Sequence, residues 1–387
     1  MNARDFTDQA AGRVIRTPED YNAFIPHPLP PKLDWAPSIV SQLSQADRAL
    51  GELSGIGRAL PNPHLLILPF ARREAVLSSR IEGTQASLSD LFAFEASQRA
   101  EDMSDVREVL NYVLALEHGM SRLTDLPVSL RLIREIHERL MRGVRGEYST
   151  PGEFRRSQNW IGPPGCVLND ATFVPPPVEE MQTCLGDFER FLHSEYEIPP
   201  LVQLALIHYQ FEAIHPFLDG NGRVGRLIIV LLLCLWNLLS QPLLYLSAYF
   251  EANRQAYYEH LLSVSQRGMW REWVLFFLRG VESQARDAVL RSQRLQDLRR
   301  RYREQFQQTQ ASARLLQAVD LLFGAPIVAV NQVKDALGVS FPSANRYIAQ
   351  LEEAGIVREI TGQARNRLYR ADEIIRAIEG PLDADET

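Results

Sequence analysis

Cysteine is scarce: only Cys166, Cys184 and Cys234 occur in 387 residues. They show no metal-ligand spacing. An odd count without a pairing pattern argues against a disulfide framework and for a reducing compartment. Excess positive charge is also missing. The formal net charge of −7 excludes wholesale electrostatic binding to nucleic acid or anionic lipid and leaves room only for a local basic patch. Lysine is reduced to Lys32 and Lys334, with arginine carrying the positive charge. The opening MNARDFTDQAAGRV has no apolar core of signal-peptide type. The longest apolar run, Leu227 to Trp236, is shorter than the ~20 residues of a membrane span. It reads as a helix buried on all sides, so no membrane partner is expected and the cytoplasm is the expected location. What is present is ordinary for a soluble globular protein, with 45% hydrophobic and 23% charged residues. The length suits two or three domains.

Along the chain the pattern is mainly α. Residues 1 to about 60 read as irregular, docked or linking sequence, because Ile25-Pro26-His27-Pro28-Leu29-Pro30-Pro31 punctuates them. Helices are expected over 65–82 (closed by Gly83), 88–99, 106–122 and 129–141. The stretch 152–177 is turn-rich, and its two short extended runs suggest a β-hairpin flap. Helical pattern resumes over 178–196, 201–214, 223–239, 248–267 and 269–280. An Arg/Gln-rich helical connector follows over 282–310. The last unit, about 311–378, reads helix, helix, turn, helix, hairpin.

The densest chemistry lies in His215-Pro216-Phe217-Leu218-Asp219-Gly220-Asn221-Gly222-Arg223-Val224-Gly225-Arg226. One apolar helix enters it and another leaves. Gly220 and Gly222 permit the backbone conformations that turn successive N–H groups inward. Such a nest at a helix N-terminus holds phosphate through its donors and the helix dipole. Arg223 and Arg226, one turn apart, can clamp the same polyphosphate. Asp219 supplies a hard oxygen suited to Mg²⁺. His215 stands where an attacking hydroxyl would approach. Together these parts suit in-line attack on phosphorus, without the Gly-x-x-x-x-Gly-Lys-Ser/Thr of a P-loop. Taken singly, each residue is commonplace: Gly-Asn-Gly is usually a turn, and two arginines a solvated face.

The whole segment resembles the Fic family signature, His-x-Phe-x-Asp/Glu-Gly-Asn-Gly-Arg-x-x-Arg, at every specified position. Gly152 to Gly162 resembles the family's entry to its flap, and Leu246 to Phe250 with Tyr257-Tyr258 its downstream helices. The resemblance covers about residues 10 to 285. It implies a Fic-type helical bundle that moves AMP from ATP onto a Ser, Thr or Tyr hydroxyl of a target protein, the enzyme itself among the candidates. On that resemblance His215 is the base and Asp219 the Mg²⁺ ligand. Gly220, Asn221, Gly222, Arg223, Gly225 and Arg226 hold the nucleotide, and Tyr258 faces the adenine. Asn159, Trp160, Ile161, Gly162, Phe173 and Val174 form a flap that docks the target by strand addition. The alternatives are another nucleotide donor, removal of AMP, or a nucleotide-sensing DNA-binding regulator.

Ser78-Ser79-Arg80-Ile81-Glu82-Gly83 resembles the family's inhibitory motif, Ser/Thr-x-x-x-Glu-Gly/Asn, with Ser78, Glu82 and Gly83 matching. A carboxylate there can pair with Arg226 and occupy the arginine meant for the γ-phosphate. The implied organisation is an N-terminal region with the inhibitory helix (1–105), a catalytic core (106–281), the connector (282–310) and a winged helix-turn-helix (311–380). In the last, Ser343, Asn345, Arg346 and Gln350 would face a DNA groove, and Arg365 and Arg367 a backbone. The module's other common use is protein interaction or dimerisation. A homodimer that regulates Glu82 follows by family analogy.

Overall fold

The computed structural model describes residues 1–59, 64–97, 104–144, 150–163, 165–307 and 312–381. Residues 98–99 of the expected third helix and 308–310 of the connector lie outside these. The protein is mainly α, with two small antiparallel sheets.

Residues 1–59 are more regular than their prolines suggest. Strands β1 (Gly12–Arg16) and β2 (Asn22–Pro26) pair antiparallel, with Val14 opposite Phe24. Helix α1 (Pro37–Ala59) follows. The proline cluster lies between β2 and α1 and masks both. Pro37 opens the helix, where its missing N–H costs nothing. Ile39, Ala46, Leu50 and Leu53 form the buried stripe that α1 presents to the core.

Helices α2 (His64–Ile81), α3 (Leu88–Ser97), α4 (Ser104–Arg122), α5 (Leu130–Leu140), α6 (Val178–His193), α7 (Pro200–Ile214) and α8 (Asn221–Leu235) lie close to their expected spans. The Ser129 hydroxyl caps α5 by accepting from Leu132 N. Helices α7 and α8 are buried along nearly their whole length and form the centre of the bundle. The single helix expected over 248–267 is instead two, α9 (Ser247–Ala252) and α10 (Arg254–Arg267), parted at Asn253, whose backbone leaves the helical region.

Helix α11 (Trp270–Gln307) runs unbroken through the expected boundary at 281/282. Gly280, which reads as a stop, serves close packing. A Cβ there would lie 2.8 Å from the Tyr249 ring. Residues 313–379 comprise α12 (Ala313–Gly324), β3 (Ile327–Ala329), α13 (Val330–Leu337), α14 (Phe341–Glu353), β4 (Arg358–Glu359), β5 (Leu368–Arg370) and α15 (Asp372–Glu379), with strand order β3-β5-β4. This unit packs on α2, α3 and α11 and continues the same hydrophobic core. Asn345, Arg346 and Gln350 on α14 and Arg365 and Arg367 beyond β4 are exposed; Ser343 is half-buried and tied to the cap residue Ser340. No helix among the described residues is long and apolar enough to cross a membrane.

Candidate active site

The loop 215–220 joins α7 to α8, and its shape is set by two left-handed residues. His215 ends α7 at φ 49° and Gly220 caps α8 at φ 78°. A non-glycine residue at such a φ is uncommon and must be held by its surroundings. Here the His215 carbonyl accepts from Arg155 Nε at 3.0 Å and from Asn159 Nδ2 at 3.3 Å. Arg155 is buried and reaches three segments at once. Its Nη1 and Nη2 donate to the carbonyls of Ser157 and Pro176.

Phe217 is buried and lies flat on His137, with centroids 3.7 Å apart. His137 accepts the Gly152 N–H on Nδ1 at 2.9 Å, so Nε2 carries the proton and donates to the Asp219 carbonyl at 3.1 Å. Burial holds its pKa down at about 4. Asn221 does not turn its side chain toward the nest. Its Oδ1 accepts from Phe217 N at 2.9 Å and its Nδ2 donates to Phe217 O at 2.8 Å. Only the backbone of Asn221 is left to face a ligand. Asn221→Ala would orphan the buried Phe217 N–H and is expected to lower the unfolding free energy by about 2 kcal/mol, as read by urea denaturation.

Around this loop the residues singled out in the sequence converge unevenly. Glu82, His215, Gly222, Arg226 and Tyr258 line one cavity of about 710 Å³, together with the flap residues Trp160, Ile161, Gly162 and Phe173. That size suits a nucleotide. Asp219 is half-exposed beside it, with Oδ1 accepting from Gly220 N at 2.6 Å. Gly225 does not line the cavity and packs against Glu212, His208 and Phe211. Val174 is buried in a small cluster with Ala23 and Ala171, and its carbonyl accepts from Phe24 N. The expected hairpin is reduced to one bridge between Ile161 and Phe173, whose N–H and C=O groups bond reciprocally at 2.8 and 3.0 Å. The chain between them carries a short helical turn at Leu168–Asp170, and residue 164 lies outside the described set.

The end of α2 closes on α8. Arg226 is buried; its Nε donates to Ser78 Oγ at 2.8 Å, and its Nη2 donates to Ser78 O at 3.0 Å and to Glu82 Oε1 at 2.7 Å. Burial raises the Glu82 pKa, but the Arg226 guanidinium outweighs it and holds the carboxyl below its ordinary value. Glu82 also lies against the nest, since a Cβ on Gly222 would stand 2.4 Å from Glu82 Oε1. One turn before Ser78, Glu74 fixes the helix. It accepts from Tyr112 on α4 and from Ser247 on α9. Gly83, at φ 102°, ends α2 directly after the glutamate.

His215 Nδ1 donates to the Glu212 carbonyl at 3.3 Å, which leaves the lone pair on Nε2. Burial lowers its pKa to about 4, with Glu82 and Asp219 pulling weakly the other way. The ring is therefore neutral, and able to accept a proton, at neutral pH. An NMR titration of the free protein is expected to place the His215 midpoint near 4. A midpoint at the ordinary 6.5 would contradict this. Glu212 lines the same cavity with one buried oxygen lacking a partner, and burial pushes its pKa up to about 8.

The sequence singles out Arg155 only as one residue of the flap-entry stretch, and gives no signal for His137, Glu212 or Glu108, the last of which pairs with Arg223. None lies in the motif, and each acts through a contact formed only in the fold. The residues present do suit a triphosphate and a divalent cation. Arg223 has a buried Nε with no partner, Asp219 offers a half-exposed carboxylate, and the first N–H groups of α8 are free of intrahelical bonds.

Residues 40–121 match the model of the Fic/DOC family N-terminal region, and residues 127–233 that of the Fic/DOC family itself. A Drosophila erecta protein named protein adenylyltransferase Fic is 29% identical over 202 residues, covering 51% of this chain and 37% of that protein. Its Drosophila melanogaster counterpart is 28% identical over the same length and coverage. The chain thus spans well under half the length of these curated relatives. Among solved structures, a Fic family protein from Desulfovibrio desulfuricans has a TM-score of 0.57 at 21% identity, covering 89% of this chain and 98% of that one. That likeness speaks for the fold. With both family models falling on the helices that build the loop 215–220 and the end of α2, residues 40–121 and 127–233 are Fic/DOC family domains.

Proposed function

We propose that the protein is an autoinhibited adenylyltransferase that moves AMP from ATP onto a protein hydroxyl. The observation that carries this reading is His215: neutral, tautomer fixed by the Glu212 carbonyl, and set in a cavity of nucleotide size beside the N-terminus of α8. The names of the Drosophila relatives support AMP as the group moved.

The chemistry follows from the residues. The target hydroxyl gives its proton to His215 Nε2 as its oxygen attacks the α-phosphorus. A new O–P bond forms, the bond to the bridging oxygen of the β-phosphate breaks, and pyrophosphate leaves. The N–H groups at the start of α8 and the guanidinium of Arg223 stabilise the charge that spreads over the phosphate oxygens. A divalent cation on Asp219, with Mg²⁺ the natural choice, would add charge neutralisation on the phosphates. Arg226 would meet the γ-phosphate, and Glu82 competes for it. Tyr258, half-exposed on the cavity wall, would meet the base. The Ile161–Phe173 edge would pair with an extended target segment.

The test is transfer of label from α-labelled ATP to protein by wild type, Glu82→Gly and His215→Ala. Label in Glu82→Gly that is absent in His215→Ala supports the proposal. Label from another nucleotide alone would replace AMP with that group, and no transfer by any of the three would sink the enzymatic reading. The element order of residues 313–379 supports a winged helix-turn-helix, whose exposed face on α14 would meet a partner.

A further inference from the structure

Arg223 and Arg226 stand one turn apart on α8, and both are buried. Their carboxylates come from different helices. Glu82 at the end of α2 holds Arg226; Glu108, in the first half of α4, holds Arg223 through Nη1. The Thr84 hydroxyl just beyond α2 faces Glu108 and favours its charged form. Arg223 also has a second carboxylate within reach. Its Nη2 is 3.5 Å from Asp219 Oδ1, near enough to attract and too far for a good hydrogen bond. Asp219 is 49% exposed, whereas Arg223 is 3% exposed. One desolvated cation therefore sits between two carboxylates. A buried guanidinium requires an anion, and whichever carboxylate it takes is lost to other partners.

We propose that Glu108 is a positioning residue that holds Arg223 off Asp219. This rests on the functional reading above. With Arg223 anchored on α4, the Asp219 carboxylate stays free for a divalent cation. The unpartnered Arg223 Nε stays a spare donor for a phosphate oxygen. Without the charge at position 108, Arg223 closes onto Asp219 and the two phosphate-binding devices cancel each other. Glu82 blocks the site, whereas Glu108 keeps its two halves apart.

The experiment uses the full chain in the Glu82→Gly background. Mn²⁺ serves as the spectroscopic probe, and its binding is measured by electron paramagnetic resonance with α,β-methylene-ATP present. Glu108→Gln is expected to weaken Mn²⁺ binding about tenfold. It is expected to raise the Mg²⁺ needed for half-maximal labelling by a similar factor. In an Asp219→Asn background, adding Glu108→Gln is expected to cost nothing further, since the residue acts through Asp219. Unchanged Mn²⁺ affinity in folded Glu108→Gln, or a loss that simply adds to that of Asp219→Asn, overturns the proposal. If Glu108→Gln does not fold, Glu108→Asp keeps the charge but withdraws it by one methylene. It is expected to give a smaller shift of the same sign, and no shift is equally fatal. Failure of the Glu82→Gly parent itself to bind Mn²⁺ with the nucleotide would instead sink the functional reading.

Discussion

His215→Ala, built on the Glu82→Gly background, is expected to lose AMP transfer by ~10²–10⁴-fold while retaining its affinity for ATP. The loss is that of a proton acceptor in the transition state. The imidazole points its lone pair away from the Glu212 carbonyl that fixes its tautomer. The proposed binding groups, Gly222, Arg223 and Arg226, lie on the next helix and keep their own partners. Isothermal titration with ATP and single-turnover labelling separate the two effects. An equal fall in affinity and rate would mean that the ring shapes the loop. His215 ends α7 at φ 49°, so the backbone must be checked too. His215→Asn, which adopts that φ more readily than Ala, should be just as inactive.

The second large effect is a gain. Glu82→Gly is expected to raise AMP transfer by roughly 10–100-fold, the equivalent of one charge-assisted hydrogen bond of about 1.5–3 kcal/mol. Removing the carboxylate leaves Arg226 with Ser78 alone, through Nε and Nη2. It also clears the space beside Gly222, where Glu82 Oε1 now lies. A tighter Kd for ATP with unchanged label would show that Glu82 limits binding only. Label equal to wild type at matched folding would remove Glu82 as a brake.

The sequence and the fold agree where the information is local. The stretch from His215 to Arg226 is contiguous, and a loop between two apolar helices is its natural reading. The end of α2 was marked by Gly83, which the structure places at φ 102°. Legibility fails where a contact joins distant helices. Glu108 lies 115 residues from Arg223 and, alone, is one more charge on an amphipathic helix. His137 likewise reads as an interior residue of α5 until its two nitrogens are seen to meet Gly152 and Asp219. Asn221 is the instructive intermediate. Its place in the motif was plain, but whether its amide faces a phosphate or the backbone of Phe217 is settled only by packing. The strands β1 and β2 and helix α1 were hidden by neighbouring prolines, which punctuate a sequence more loudly than they shape what lies on either side.

Arg155 and Asn159 root the flap in the carbonyls of His215 and Phe217. Edge and imidazole are therefore tied to one frame by these bonds. A target strand laid along Ile161 would be measured as against a ruler. The side chain that falls opposite His215 would be chosen by its offset along the strand and by its reach. Selectivity among serine, threonine and tyrosine then becomes a question of length before it is one of acidity. A target whose loop is too stiff to extend along that edge would be refused whatever hydroxyl it carries.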